Sequence, residues 1–496
     1  MNKPPRALLP LGGTLLAFDA AATRRLEARA AAPGPQPSLL MERAGLSAAR
    51  LARALCPGAQ QVSVLCGPGN NGGDGWVAAW HLHRWGVAVT AHALGGESRT
   101  SDHRAAMARA RAAGVPISNE PQPSAQAELV LDALLGIGLR SAPAGELAHC
   151  LRALGQHPAR KLALDLPSGL EADTGRDWGA AACTDTLTFL SAKPGLFTGA
   201  GRALAGRVWL DELGASFGGE PAVAELASSA LLASWRALSP RAQSSHATHK
   251  GRQGDLWVLG GAMPGAALLA ARAGLHAGAG RVYLDGRLEA DSLQPELILR
   301  ALPAEGPPVG SCLVAGCGWG EGQADRLAEL LERNQHLVLD ADALNSLAAD
   351  ASLRARLQQR AGRGARTILT PHPLEAARLL QTAVAEVQAD RLRCAQALAQ
   401  ELNCTVLLKG SGTVAASPGQ RPLINTTGHG ALASAGTGDV LAGWLGGLWA
   451  QAPSADPQRL AALAAVWHGL AADQLPLGSA PLPASQLVQR MHQLHP

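Results

Sequence analysis

At 496 residues, with 47% hydrophobic and 17% charged residues, the chain is long enough for two or three domains and apolar enough to bury cores, which excludes a disordered polypeptide. A formal net charge of only +4, with arginines dispersed and aromatic residues at 3%, excludes a nucleic-acid surface built on charge or base stacking. The eight cysteines (56, 66, 150, 183, 312, 317, 394 and 404) form no Cys-x-x-Cys pair and no zinc-like grouping, so reduced thiols and a cytoplasmic setting are expected.

The first twenty residues carry one Lys, one Arg and a broken apolar stretch, a poor signal peptide. Residues 15–54 read as helical, broken by AAPGPQP at 31–37. QVSVLC at 61–66 reads as a buried strand, GPGNNGGDG at 67–75 as a glycine loop, and 76–85 as a helix, with the next strand at 86–90. Strand, glycine loop, helix is the βα unit of a doubly wound sheet. The glycines allow a ligand close to the backbone, and Asn70, Asn71 and Asp74 add polar groups. The bland alternative is a turn made of turn-forming residues.

Two further strands, at 128–132 and 161–165, each end in an acid, Asp132 and Asp165, and each runs into a Gly- or Pro-containing turn, the second holding Ser168. Ligands of open α/β sheets sit beyond the carboxyl ends of the strands. Asn71, Asp74, Asp132, Asp165 and Ser168 therefore fall on one sheet edge, although each acid alone could cap a helix. Hard oxygen ligands with two formal acids suit a monovalent cation.

CGPGNNGGDG (66–75), VLDALLGIGL (130–139), LALDLPSGL (162–170) and FLSAKPGLFTG (189–199) together resemble the N-terminal, epimerase domain of the bifunctional NAD(P)H-hydrate repair enzymes, over about 37–213. The resemblance implies that Asn71, Asp132 and Ser168 hold K⁺. It also implies that Asn70, Asn71, Gly72, Gly73, Asp74, Gly136, Ile137, Gly138, Leu139, Arg140, Ser141, Ala142 and Asp165 contact the hydrated cofactor. Ile137 stands where the family often has threonine, which leaves its backbone to serve.

Residues 214–238 read as a connector with one helix. In the polar stretch 240–254, His246 and His249 could pair on a metal, though a solvated loop is the better reading. A second α/β pattern starts at 255, with strands at 256–259, 311–315, 336–340, 366–370 and 404–409 and a helix opening at 264. His372, between two prolines at a strand's end, is expected to touch substrate. Lys409, Ser411 and Thr413 with glycine amides form a phosphate cradle or a hairpin turn. Asp340 and Asp342 could support Mg²⁺ through water or cap a helix.

The stretch TGHGALASAGTGDVLAGW (427–444) feeds a glycine loop into an apolar helix. Loop amides and a helix N-terminus make an anion site, and Asp439 beside it is either a proton-handling carboxylate or a cap. The run 440–455 is uncharged but interrupted, and shorter than the roughly 20 residues of a membrane span. A core helix, and no membrane partner, is expected.

HKGRQG, GGAMPGAALLA, AGCGWG, DADALN, TPHPLEAARLL, KGSGTV and NTTGHGALASAGTGDVLAG, in that order over roughly 240–490, resemble the ribokinase-like, dehydratase half of the same repair enzymes. The resemblance implies that Lys409, Gly410, Ser411, Gly412, Thr413 and Gly438 contact an adenine nucleotide. Ala266, Gly318, His372 and Asp439 would contact the hydrated cofactor. AGCGWG departs from the family's GPGLG at Cys317 and Trp319.

The expectation is thus an α/β protein of two domains: a Rossmann-like doubly wound sheet (1–215) and a ribokinase-like domain (222–496). It is an isomerase interconverting R- and S-NAD(P)HX, with Asp165 as acid–base group, and a lyase dehydrating the S epimer, with Asp439 as base. K⁺, Mg²⁺ and ADP as phosphoryl donor are the expected cofactors, and a homo-oligomer the expected assembly. The rivals are a ribokinase-like small-molecule kinase fused to a nucleotide-binding domain, and a non-catalytic nucleotide-binding scaffold.

Overall fold

The computed structural model describes residues 5–8, 13, 15–30, 39–98, 100–215, 218–239, 246, 249–286 and 294–495. The chain divides into two compact units, one built mainly from Leu15–Ala224 and the other from Glu225–Pro496.

The first unit contains α1 (Ala20–Ala30), α2 (Leu39–Leu55), β1 (Gln61–Cys66), α3 (Asn70–Arg84), β2 (Ala88–Ala93), α4 (Ser101–Ala112), β3 (Ile117–Ser118), β4 (Leu129–Ala133), α5 (Gly145–Gln156), β5 (Arg160–Leu164), β6 (Asp185–Phe189) and β7 (Arg207–Asp211). These strands run parallel in the order β3-β2-β1-β4-β5-β6-β7, and Arg6–Ala7 adds an antiparallel edge. The order reverses between β1 and β4, the switch point where a doubly wound sheet leaves its ligand crevice.

The glycine loop is shorter than the sequence suggested, because α3 begins at Asn70 rather than near Trp76. The glycines serve packing more than turning. A Cβ on Gly72 would lie 1.8 Å from the Gly67 carbonyl oxygen, one on Gly73 2.4 Å from the Met41 methyl, and one on Gly75 2.6 Å from the Ala133 Cβ. Only bare backbone lets the first turns of α3 press against α2 and the end of β4, and this brings Asn71 over the sheet edge. Upstream, Leu15–Ala17 is a strand rather than the start of a helix, and the 31–37 break lies outside the described residues.

The second unit contains β8 (Asp255–Leu259), α6 (Pro264–His276), β9 (Arg281–Asp285), β10 (Cys312–Ala315), α7 (Ala324–Arg333), β11 (His336–Leu339), α8 (Ala341–Ala349), β12 (Arg366–Leu369), α9 (Pro373–Leu380), β13 (Thr405–Leu408), β14 (Val414–Ala416), β15 (Leu423–Asn425), α10 (Thr437–Gln451), α11 (Pro457–Asp473) and α12 (Ala484–Gln493). The sheet order is β9-β8-β10-β11-β12-β13-β14-β15, parallel as far as β13 and antiparallel through β14 and β15. The connector is more ordered than its composition implied. The strand Ala224–Ala227 pairs with β15 through Glu225, and a helix follows at Ala230–Leu238.

Helix α10 lies in the core, with Trp444 and Trp449 fully buried. Its glycines again mark close approach: a Cβ on Gly443 would sit 2.0 Å from the Ala270 carbonyl oxygen, and one on Gly447 2.5 Å from that of Gly274. The uncharged run is therefore a helix packed on α6. Among the described residues no helix is long and apolar enough to cross a membrane.

Candidate active sites

A cavity of about 670 Å³ opens at the switch point of the first unit. Its floor is made by the residues that leave β1, β4 and β5. Asp132, at the end of β4, is fully buried and accepts from the Ser168 hydroxyl (2.6 Å), the Ser168 N–H (2.8 Å) and the Leu134 N–H (3.3 Å). Burial pushes its carboxyl up, and the Ser168 bonds oppose that shift. The Asn71 amide donates to the Leu135 carbonyl (3.0 Å), while its Oδ1 is buried without a partner. The Ser168 hydroxyl reaches the same Leu135 carbonyl (3.2 Å), so the unpartnered Asn71 oxygen and the buried Asp132 carboxylate, which lies beneath the cavity lining, share one network whose oxygens fit a monovalent cation.

Asp165 follows β5 in the left-handed region (φ 66°), which turns its carboxylate into the cavity. Its Oδ1 accepts from Lys193 Nζ (2.6 Å) and its Oδ2 from the Ile137 N–H (3.3 Å). Lys193 is fully buried and spends its other protons on the Thr188 hydroxyl (2.9 Å) and the Phe189 carbonyl (2.6 Å). A carboxylate fixed by an ammonium and a backbone amide, and open to a cavity, is placed for acid–base work. Glu27 of α1 and Asp74 of α3 line the same cavity. Burial first, then the Asp165 charge, raises both carboxyls, Asp74 well above the usual range.

In the second unit the chemistry gathers at the N-terminus of α10. Gly436 is left-handed (φ 86°) and gives no side-chain cap, so the first N–H groups of α10 lack intrahelical partners. The Thr437 hydroxyl is spent on the Leu432 and Ser434 carbonyls, and His468 bonds the Thr437 carbonyl (3.0 Å). Burial lowers that imidazole to about 4, so it braces the turn in the neutral form.

Lys409 reaches this turn from β13. Its Nζ donates to Asp340 Oδ1 (2.7 Å), and a Cβ on Gly438 would stand 3.3 Å from the same nitrogen. Burial works against the ammonium, yet Asp340 and Glu375 outweigh it and its pKa is raised. Cys317 Sγ and one carboxylate oxygen each of Asp340 and Asp439 lie within 4.8 Å of one another. The Asp439 carboxyl is pushed up by burial and by Asp340, against the pull of the Cys317 thiol and Lys409. An ammonium, an open helix N-terminus and a carboxylate of raised pKa can hold an anion and accept a proton side by side.

The family model described as NAD(P)H-hydrate dehydratase matches residues 256–493, and that described as YjeF-related protein N-terminus matches 38–195. The bifunctional NAD(P)H-hydrate repair enzyme Nnr of Escherichia coli (strain K12) is 38% identical over 455 residues, covering 88% of this chain and 85% of that protein. Its counterpart in Coxiella burnetii is 35% identical over 469 residues, covering 91% and 93%. The chain belongs to the bifunctional NAD(P)H-hydrate repair enzyme family. A crystal structure of the ADP/ATP-dependent NAD(P)H-hydrate dehydratase from Bacillus subtilis with ATP/Mg²⁺ is 27% identical and covers 53% of this chain and 95% of its own, with a TM-score of 0.43.

Against the family's expected residues, the structure sorts the first unit clearly. Asn70, Asn71, Asp74, Gly136, Ile137, Gly138, Leu139 and Asp165 line the cavity. Gly72 and Gly73 are buried behind it, and Arg140, Ser141 and Ala142 are outside its lining. In the second unit Ala266 and Gly318 meet, since a Cβ on Gly318 would lie 2.9 Å from that of Ala266. Gly438, Lys409 and Asp439 share the turn described above.

The KGSGT loop is held by its own bonds. The Lys409 ammonium turns toward Asp340, the Thr413 hydroxyl bonds back to the Gly410 carbonyl (3.0 Å), and Ser411 is exposed. Arg391, buried beneath, fixes the loop by donating to the carbonyls of Leu408 (3.1 Å) and Lys409 (2.8 Å). His372 is the N-cap of α9, its Nδ1 accepting from the Leu374 and Glu375 N–H groups, while Glu375 returns a bond to the His372 N–H (2.7 Å). Burial raises that Glu375 carboxyl to about 7.

Asp340 makes no cap, and Asp342 accepts from the Gly320 N–H (2.8 Å), so it holds the AGCGWG turn. Trp319, a family departure, is buried and donates to the Leu259 carbonyl (2.7 Å). His246 and His249 are exposed and belong to no metal-sized cluster among the described residues. Lys193, Glu27 and Arg391 were not singled out from sequence. Lys193 alone had a signal, as the one charge in FLSAKPGLFTG.

Proposed function

We propose that this enzyme repairs hydrated nicotinamide cofactors, with epimerisation of R- and S-NAD(P)HX in the first unit and ADP-dependent dehydration of S-NAD(P)HX in the second. The observation that carries the reading is Asp439, a carboxylate of raised pKa beside Lys409 and the open N-terminus of α10. Hydroxide is a poor leaving group, and phosphorylation turns it into a good one. Asp439 takes the substrate hydroxyl proton as that oxygen attacks the β-phosphorus of ADP, and AMP departs. The α10 amides and Lys409 take up charge on the phosphoryl oxygens. Phosphate then leaves the ring carbon, and loss of one ring proton restores NAD(P)H.

Asp340, the buried carboxylate next to this turn, offers hard oxygens that would hold Mg²⁺, which when bound with the nucleotide offsets phosphate charge and leaves Asp439 free as the base. In the first unit Asp165 exchanges the proton of the hydrated ring. Asn71, Asp132 and Ser168 would hold K⁺, whose charge would compensate the buried Asp132. A cytoplasmic setting agrees with eight free cysteines, seven of them buried.

The decisive experiment incubates the purified full chain with NADHX, ADP and Mg²⁺. Recovery of the reduced-nicotinamide absorbance is expected. No recovery, or a stable phosphorylated product, would overturn the reading, the latter in favour of a kinase.

The potassium site makes its own prediction. Asp132→Ala removes the only formal charge among the three proposed ligands, so K⁺ binding weakens and R-to-S conversion slows, while dehydration of pure S substrate proceeds normally. Epimerisation measured in K⁺, Na⁺ and choline buffers checks this. Equal wild-type rates in all three would leave Asp132 as the anchor of the Ser168 turn, worth about 0.5–2 kcal/mol of stability as a cap is.

A further inference from the structure

Helix α1 precedes the 38–195 match, yet the structure locks it to the cavity of the first unit. Its first N–H donates to Asp173 (2.6 Å), the Thr23 hydroxyl pairs with that of Ser191 (2.8 Å), and Arg24 donates to the Ile137 carbonyl (2.9 Å). These bonds fix the rotation of the helix and set Thr23, Arg24 and Glu27 in the cavity wall. Asn70, oriented by the Thr100 hydroxyl (2.9 Å), presents its amide within hydrogen-bonding reach of Glu27.

We propose that Glu27 is the second acid–base residue of the epimerisation, acting on the hydrated ring together with Asp165. The proposal rests on the epimerase reading of this unit. Two distinct carboxyl environments in one cavity carry it. Asp165 is paired with the ammonium of Lys193 (2.6 Å) and bonded by the Ile137 N–H (3.3 Å). Glu27 has only an amide beside it, with Arg24 on its own helix, Asp74 on α3, and Asp165 and Lys193 across the cavity. Burial, and then the Asp165 charge, favours its protonated form. Two carboxyls in one cavity, one ion-paired and the other beside only an amide, can divide into base and acid.

The chemistry needs two such groups and no co-reactant. Water added across an enamine leaves the hydroxyl on the carbon next to the ring nitrogen. Asp165 removes the hydroxyl proton, the carbon–oxygen double bond forms as the carbon–nitrogen bond breaks, and Glu27 protonates the released nitrogen. Rotation of the aldehyde followed by the reverse steps closes the ring with the other configuration. Both carboxyls return to their starting states, and no atom is gained or lost.

The test is Glu27→Gln in the full-length enzyme, with Asp165→Asn beside it. Glutamine keeps an acceptor for Asn70 and cannot give a proton. Epimerisation should fall by about 10²-fold or more. The fall in rate as pH rises through the Glu27 pKa should vanish, and dehydration of S substrate should stay at the wild-type level. Glu27→Asp should recover part of the rate. Glu27→Gln within about threefold of wild type, with its pH profile intact, would overturn the proposal and leave Glu27 as a support for Asn70. If that result accompanies an inactive Asp165→Asn, only Glu27 is misassigned. A wild-type enzyme that does not epimerise overturns both Glu27 and the epimerase reading.

Discussion

Replacing Asp439 by asparagine is expected to lower dehydration by about 10²–10⁴-fold, the span of a lost general base, with ADP binding kept within several-fold. Asparagine preserves the volume at the start of α10 and leaves Lys409 and the helix amides in place, so the nucleotide keeps its anion site. The residue loses only the ability to accept a proton. A capping role would predict a stability cost and no rate effect, but the N-cap of α10 is Gly436 and carries no side-chain bond. The sign of the pH dependence follows from the raised pKa. The base works when ionised, so the wild-type rate should climb with pH through a value above that of an ordinary aspartate, and the variant should lack that limb. Single-turnover rates with S-NADHX decide it. Activity within tenfold of wild type would remove Asp439 from the role, and epimerisation should be unchanged in either case.

What was legible in the sequence is what local pattern controls. Short apolar runs ending in an acid marked β4 and β5, and the turns after them held the residues that line the cavity. The glycine-to-apolar switch at 436–440 marked the start of α10. The onset of α3 was misplaced because glycine favours turns locally, whereas here its missing side chain admits a neighbouring backbone. His372 read as an extended loop residue, and its backbone is extended (φ −80°, ψ 170°), but the ring is engaged as a cap two residues ahead of a helical Leu374. The pairings that set the chemistry were out of reach. Lys409 meets Asp340 across 69 residues and Lys193 meets Asp165 across 28, separations fixed by strand order rather than by any periodicity. Glu27 was hidden for the same reason, on a helix that only tertiary bonds to Asp173, Ser191 and Ile137 bring to the site.

Lys193→Met is expected to damage both the stability and the chemistry of the first unit. The ammonium is fully buried and gives all its protons to Asp165, Thr188 and Phe189, at 2.6, 2.9 and 2.6 Å. Methionine fills the space and donates nothing, so the Asp165 carboxylate, only 13% exposed, loses its counter-charge. Breaking a buried pair from one side costs about 3–5 kcal/mol, and at about 2–4 °C per kcal/mol for a unit of this size the melting transition should drop by roughly 10 °C. Epimerisation should fall by about 10²-fold or more, because Asp165 loses the bond that aims its carboxylate at the cavity. The double variant Lys193→Met/Asp165→Asn separates the two effects. With no charge left to strand, it should regain much of the melting temperature and none of the epimerisation, while dehydration stays at the wild-type level in both variants. A single variant that melts within 2 °C of wild type and epimerises normally would show that Asp165 needs no ammonium, and would leave the burial of Lys193 without a function.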